Sequence, residues 1–299
     1  MVAVFINGFE AFLQLEKGLA AASIVSYLND LRKLDEYFVL KSYDLKLSEI
    51  ELSHIQDFIQ YLNELDLSIA SQARIVSSIK SFFAYLVLER IIETSPADLL
   101  EAPKLDRKLP AVLSFEEVDA MLNSIDLSKP EGHRNRAILE VLYACGLRVS
   151  ELTGLRISNL FLEVGFIKVL GKGNKERIVP MGETAQKYLT YYLSQRRDMT
   201  NIHSSSEDIV FLNRRGKQLT RNMIFIIVKN TAADAGISKT VSPHTFRHSF
   251  ATHLIEGGAD LRVIQQLLGH ESITTTEIYT HLDMDFLKET LRSFHPRSK

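Results

Sequence analysis

The residues best suited to chemistry lie beyond position 140 and are cations, imidazoles and a phenol. In Ser242-Pro243-His244-Thr245-Phe246-Arg247-His248 the proline stands where a first helical turn tolerates it. His244 and Arg247, three residues apart, then share one helix face and point two donors the same way. Asp260 is placed to cap a helix through Leu261, Ile264, Leu267 and Leu268 that stops at Gly269, with His270 next. Thr274 and Glu277 stand in capping-box register and predict a new helix carrying Tyr279 in its early turns. Upstream, Gly146-Leu147-Arg148-Val149-Ser150-Glu151-Leu152 sets Arg148 three residues before Glu151. That spacing is either a surface ion pair worth ~0.5 kcal/mol or less, or a carboxylate holding the arginine in position. Guanidinium stays protonated and offers a planar fork to two phosphate oxygens, so the chemistry that suits these residue types is that of a phosphodiester.

These residues need elements to position them, and the periodicity supplies candidates. In the first hundred residues, apolar positions recur at spacings of three and four. Ile24, Tyr27, Leu28, Leu31 and Phe38 form one stripe, Ile55, Phe58, Ile59 and Leu62 a second, and Ile75, Ile79, Phe82, Phe83 and Leu86 a third. Such aromatic stripes predict helices packed on one another, not a cofactor box. Ser53 with Gln56 predicts the start of the second helix, and Ser114 with Glu117 that of a later one. Between Ala102 and Leu113, Pro103, Pro110 and a set of charges interrupt the pattern and read as a linker. Domains are therefore expected at 1–101 and 114–299, joined by 102–113. A helix should end near Cys145, with Gly146 as a left-handed cap. The runs Phe166–Leu170 and Glu176–Pro180 flank a Gly/Asn turn and predict a β-hairpin with Lys172 at or beside its turn. Helical patterns resume from Thr184, break between Asn201 and Asp208, and continue to the C-terminus, where Phe286, Leu287, Leu291 and Phe294 define an amphipathic tail helix.

The formal net charge of −2 looks unlike that of a nucleic-acid binder, but the average conceals an asymmetry. Residues 1–105 carry a net charge of −6 and residues 106–299 a net charge of +4. Any nucleic-acid surface should be a local concentration of charge in the second part. The group Arg214, Arg215, Lys217 and Arg221, with Lys175 and Arg177 on the hairpin, is either an ordinary solvated face or a set of DNA contacts. In the second case, the helix starting near Thr220 is the groove reader. No apolar run approaches the roughly 20 residues of a membrane span, and the N-terminus lacks a secretory layout. A lone Cys145 fits a reducing cytoplasm.

Taken together, the segments quoted above closely resemble the tyrosine recombinase (phage-integrase) family, in its XerC/XerD-like branch, and the resemblance covers both expected domains. It implies a mainly α fold: an N-terminal helical core-binding (SAM-like) domain that clamps DNA, and a C-terminal α+β catalytic domain with a small antiparallel sheet. The family's active-site roles fall on Arg148, Lys172, His244, Arg247, His270 and the nucleophile Tyr279, with Glu151 in support. The resemblance further implies cleavage and rejoining of DNA through a 3′-phosphotyrosine bond, with Lys172 donating the proton to the departing 5′-oxygen. It implies a double-stranded recombination site as partner, a homo- or hetero-tetramer with a related recombinase, and a cell-division DNA translocase as a further partner. Chromosome dimer resolution fits this branch. Integration of a mobile element, a type IB topoisomerase-like activity and a non-catalytic DNA-binding protein are the competing readings.

The residues themselves are consistent with that chemistry. The five-coordinate transition state gathers charge on its non-bridging oxygens, where fixed cations stabilise it above the ground state. No metal or other cofactor is expected, because a two-metal site would need converging carboxylates and the acidic residues of 106–299 show no metal-ligand spacing. A phenol with a pKa near 10 is about a thousandfold short of full ionisation at pH 7, so Tyr279 needs a nearby base or a cationic field, and His244 and His270 are both candidates. His248, His253, His281 and Cys145 read as packing residues. The tail helix is expected to dock either on its own domain or on a neighbouring protomer.

Overall fold

A computed structural model describes residues 2–43, 45–65, 67–103, 111–171, 176–269 and 281–297. The chain divides into two compact units, Met1–Lys108 and Leu109–Lys299. The first is entirely helical among its described residues and the second combines helices with a small antiparallel sheet.

In the first unit, helices α1 (Ile6–Leu15), α2 (Ala21–Leu40), α3 (Leu52–Glu64) and α4 (Ile69–Leu88) carry the three predicted stripes. The stripes close on one core that buries Phe9, Leu31, Leu34, Ile55, Phe58, Ile79, Phe82 and Phe83. Phe9 meets Phe82 edge-on at 5.3 Å, an arrangement favoured by the ring quadrupoles. One charge enters this core: Asp30 accepts from Ser78 Oγ at 2.9 Å and pairs with Arg74. The start of α3 differs from expectation. The helix opens at Leu52 with Glu51 as its cap, and Glu51 N–H donates to His54 Nδ1 at 3.0 Å. A Glu-x-x-His box therefore replaces the Ser53/Gln56 box two residues later, because an imidazole nitrogen accepts as well as an amide oxygen does.

The second unit begins with α5 (Phe115–Asn123), where Ser114 and Glu117 form the predicted reciprocal box. Leu113, expected in the linker, is fully buried in this unit's core, and its N–H donates to Ser249 Oγ at 2.8 Å. Helix α6 (Gly132–Cys145) runs through the centre and is buried from Arg136 to Cys145; the apolar run 137–145 is broken by Glu140, which pairs with Arg136 at 3.0 Å inside the core. It stops at Gly146, whose φ of 56° and contact with the Phe250 ring leave no room for a side chain. After the short α7 (Val149–Thr153), strands β1 (Leu160–Phe161), β2 (Phe166–Leu170) and β3 (Glu176–Pro180) pair antiparallel in the order β1-β2-β3. Leu170 pairs with Glu176 and Val169 with Arg177, so β2 and β3 are adjacent antiparallel strands in direct register, as the sequence predicts.

Among the described residues, five further helices complete the unit: α8 (Glu183–Arg197), α9 (Arg221–Asp234), α10 (Pro243–Gly257), α11 (Leu261–Leu268) and α12 (His281–Phe294). Thr220, Ser242 and Asp260 cap α9, α10 and α11 with side-chain oxygens, and Gly269 closes α11 at φ 66°. Helix α12 lays Leu287 and Leu291 against Phe250, Leu254, Ile264 and Leu267 of its own unit. The residues after α12 hold it there. His295 inserts between Tyr143 and Phe250, with ring centroids at 4.7 and 5.3 Å. Arg297 reaches Glu140 at 2.7 Å and Asp119 at 2.6 Å. Among the described residues, no helix is long and apolar enough to cross a membrane.

Candidate active site

The helix breaks of the second unit throw their polar residues to one place. Gly146 ends α6, the buried Leu147 turns the chain, and Arg148 stands at the N-cap of α7 with its side chain half-exposed. Glu151, one turn into α7, reaches back to accept the Arg148 N–H at 2.8 Å through Oε2. Through Oε1 it accepts from Arg148 Nη1 at 2.9 Å. The intimate pair, rather than the surface pair, is the one found, since Glu151 is only 5% exposed.

Arg247 comes from the first turns of α10 and lies 4.0 Å from Glu151 Oε2. It is 9% exposed, and two of its donors go to carbonyls, Gly146 O at 2.8 Å and Leu268 O at 2.6 Å. Burial and the neighbouring Arg148 pull its guanidinium down to about 10, which leaves it charged at neutral pH. His244 sits one turn earlier on the same helix, exposed. Burial of part of its ring, then His248, Arg247 and Arg148, push it below the ordinary histidine value, so the neutral imidazole is favoured.

A third arginine completes the cluster in a place that the sequence reading did not assign. Arg177 was expected on the hairpin surface as a solvated or DNA-contacting residue, and its burial corrects that: it is 6% exposed. Its fork grips Glu151 at 2.8 and 2.9 Å, and its Nε donates to Leu267 O at 2.9 Å. The available signal was the strand alternation, because Arg177 and Val179 share the buried face of β3 and Arg177 pairs with the buried Val169. Burial alone would raise the Glu151 carboxyl. The Arg177 fork, with help from Arg148, outweighs it and holds the group below the usual carboxylate range.

The three guanidiniums also share the end of α11. Arg177 takes the carbonyl of Leu267, Arg247 that of Leu268, and Arg148 that of Gly269, the last at 3.3 Å. Three successive carbonyls left unpaired at a helix C-terminus, carrying the negative end of its dipole, are thus met by three cations. His270 follows directly in the chain.

Lys172, Lys175, His270 and Tyr279 lie outside the described residues, as does the expected Thr274/Glu277 box. Arg214, Arg215 and Lys217 are exposed on the turn that follows Asn213, whose side chain accepts from the Arg215 and Lys217 N–H groups, and Arg221 is exposed at the start of α9. His248 is exposed beside His244 and is not a packing residue. His253 is one: its Nδ1 lies 2.7 Å from the buried Tyr143 hydroxyl. Cys145 is fully buried, and burial pushes its thiol up to about 12.

The phage integrase family pattern matches residues 111–285, more than half of the chain and including the whole described cluster. The chain belongs to the phage integrase family and is a site-specific tyrosine recombinase. A second match, to the N-terminal SAM-like domain of phage integrases, spans residues 6–90 of this recombinase. Among curated relatives, Tyrosine recombinase XerD of Oceanobacillus iheyensis is 44% identical over 300 residues, covering 100% of both chains. The protein of the same name from Chlorobaculum tepidum is 46% identical, over 97% of this chain and 95% of that one. Among solved structures, the recombinase is similar to a XerH site-specific recombinase in a post-cleavage complex with palindromic difH substrate, with a TM-score of 0.70 and 27% identity over 92% of this chain and 81% of that one. A lambda integrase fragment shares the fold with a TM-score of 0.70 at 17% identity, over 92% of this chain and 98% of that one.

Proposed function

We propose that the arginine cluster is the phosphate-holding half of a DNA strand-transfer site. The observation that carries this reading is the fixed pair of guanidiniums, Arg148 and Arg247, set around a carboxylate that a third arginine, Arg177, grips with a two-bond fork. A scissile phosphodiester placed there meets two cations whose orientation is held in advance, and such donors act more strongly on the transition state than on the ground state. The Tyr279 phenol oxygen attacks phosphorus, forming a 3′-phosphotyrosine as the bond to the 5′-oxygen breaks. Lys172 supplies the proton that this oxygen takes up. His244, whose neutral imidazole is favoured, and His270 share the deprotonation of Tyr279 and the hydrogen bonding of the phosphate. The phosphotyrosine keeps the bond energy, so a 5′-hydroxyl from a second duplex reverses the step without ATP.

The partner is a double-stranded recombination site, contacted on its phosphates by Arg214, Arg215, Arg221 and Lys175. This is supported by the DNA-bound complexes of structural relatives. Exchange between two duplexes needs four active sites, hence a tetramer with copies of itself or a related recombinase. The full-length likeness to proteins named XerD favours chromosome dimer resolution in the cytoplasm, with a cell-division DNA translocase as a further partner. The test is a nicked suicide substrate carrying candidate sites, incubated in chelator and scored for a denaturation-resistant protein–DNA adduct. Wild type should form the adduct and Tyr279→Phe should not. An adduct formed by Tyr279→Phe, or its loss in chelator, overturns the reading.

A further inference from the structure

We infer that Arg177 is a positioning residue for strand cleavage: it neutralises and immobilises Glu151, so that Arg148 and Arg247 face the phosphate with their charge intact. The inference rests on the reading of this site given above and adds to it a residue that touches neither DNA nor the reacting atoms.

A carboxylate has about four lone-pair sites. In Glu151 all four are filled: two by the Arg177 fork and two by the main chain and side chain of Arg148. Arg247, at 4.0 Å from the carboxylate, is attracted but not bonded to it, and its fork is turned instead to main-chain carbonyls. Three guanidiniums and one carboxylate leave a surplus of two positive charges at the two arginines available to a ligand. Without Arg177, two acceptor sites of Glu151 fall open beside those same arginines. The carboxylate would then halve the surplus charge and compete with the phosphate for their forks. A buried fork is well suited to prevent this, because guanidinium matches carboxylate geometry through two parallel bonds and stays charged.

Arg177 also ties three elements together. It stands on β3, grips Glu151 of α7, and holds the Leu267 carbonyl at the end of α11. A Cβ at Gly269 would come within 3.1 Å of the Arg177 Cδ and Nη1 atoms, so the arginine side chain and the left-handed glycine are packed to fit each other. Movement of the hairpin strand would thereby be felt both at the phosphate-facing arginines and at the start of the segment that leads to His270.

The experiment is single-turnover adduct formation on a nicked substrate at saturating DNA, in wild type, Arg177→Lys, Arg177→Gln, Glu151→Gln and the Arg177→Gln/Glu151→Gln double variant. Each is paired with a thermal melt and a salt titration of DNA binding. Arg177→Gln should cleave ~100-fold more slowly than wild type, the scale of losing an oriented electrostatic group, with an unchanged salt slope of binding. Removing the carboxylate charge should relieve part of that loss, so the double variant should cleave ~10-fold faster than Arg177→Gln. Arg177→Lys keeps the charge but not the fork and should fall ~10-fold below wild type, a comparison that remains if Arg177→Gln does not fold. The inference is overturned if Arg177→Lys cleaves at the wild-type rate, if the double variant is no faster than Arg177→Gln, or if the salt slope drops by one phosphate contact. Absence of an adduct in wild type would instead count against the reading of the site itself.

Discussion

Two groups of arginines in the C-terminal unit are held in opposite ways. Arg148, Arg177 and Arg247 meet at one buried carboxylate and at three successive carbonyls of α11, with most of their donors assigned. Arg214, Arg215 and Arg221 stand exposed, and among the described residues none of them is in an ion pair. The first arrangement removes conformational freedom before a ligand arrives, which is what stabilising a transition state requires. The second leaves long side chains free and hydrated, which suits attraction to a polyanion and its salt-dependent release of counterions. One residue type thus serves orientation in one place and steering in the other, and burial decides which.

The sharpest way to break this contrast is to remove the shared carboxylate. Glu151→Ala leaves Arg177 buried without its counter-charge and should cost about 4 kcal/mol of stability, read from denaturant unfolding. A loss below about 1 kcal/mol would mean that the cluster relaxes into solvent. Next in size, Arg148→Ala should slow strand cleavage by about 3 kcal/mol of barrier, while DNA affinity at low salt changes little.

The C-terminal strap extends the comparison to arginines that hold structure alone. Arg297→Ala removes two carboxylate partners and should cost about 2 kcal/mol, with new protease cuts after residue 280. Burial first, then the nearby His253, presses the His295 ring down to about 3, far below the ordinary 6.5. A depressed value means that the unfolded chain binds the extra proton. The contribution of His295 is therefore complete above pH 6.5 and is lost progressively as the pH falls toward about 3. The melting temperature of wild type should consequently fall more steeply between pH 7 and pH 5 than that of His295→Phe. Smallest of all, Arg221→Ala should weaken DNA binding by about 1 kcal/mol or less and lower the salt slope by about one phosphate.

Much of this was legible in the sequence because it depends on short-range rules. The helix boundaries at Gly146, Ser242, Asp260 and Gly269 follow from capping chemistry, and the structure places caps at those residues. The three apolar stripes of the first unit follow from helical periodicity and form its core. What was not legible depends on long-range pairing. Arg177 and Glu151 are 26 positions apart, and only the fold shows that the strand face carrying Val179 looks toward α7. His54 caps α3 through an imidazole nitrogen, an acceptor outside the usual Ser/Thr-x-x-Glu/Gln pattern that points instead to Ser53 and Gln56. Similarly, His295 and Arg297 lie beyond the last apolar stripe, and their partners Tyr143 and Glu140 are distant in sequence.

The division between the two arginine groups is tested most directly by measuring adduct formation in Arg148→Ala and Arg221→Ala side by side, with DNA saturating and a chelator present. The division holds if Arg148→Ala binds its substrate yet forms almost no covalent adduct while Arg221→Ala forms it at the wild-type rate once bound. A wild-type rate in Arg148→Ala would contradict it.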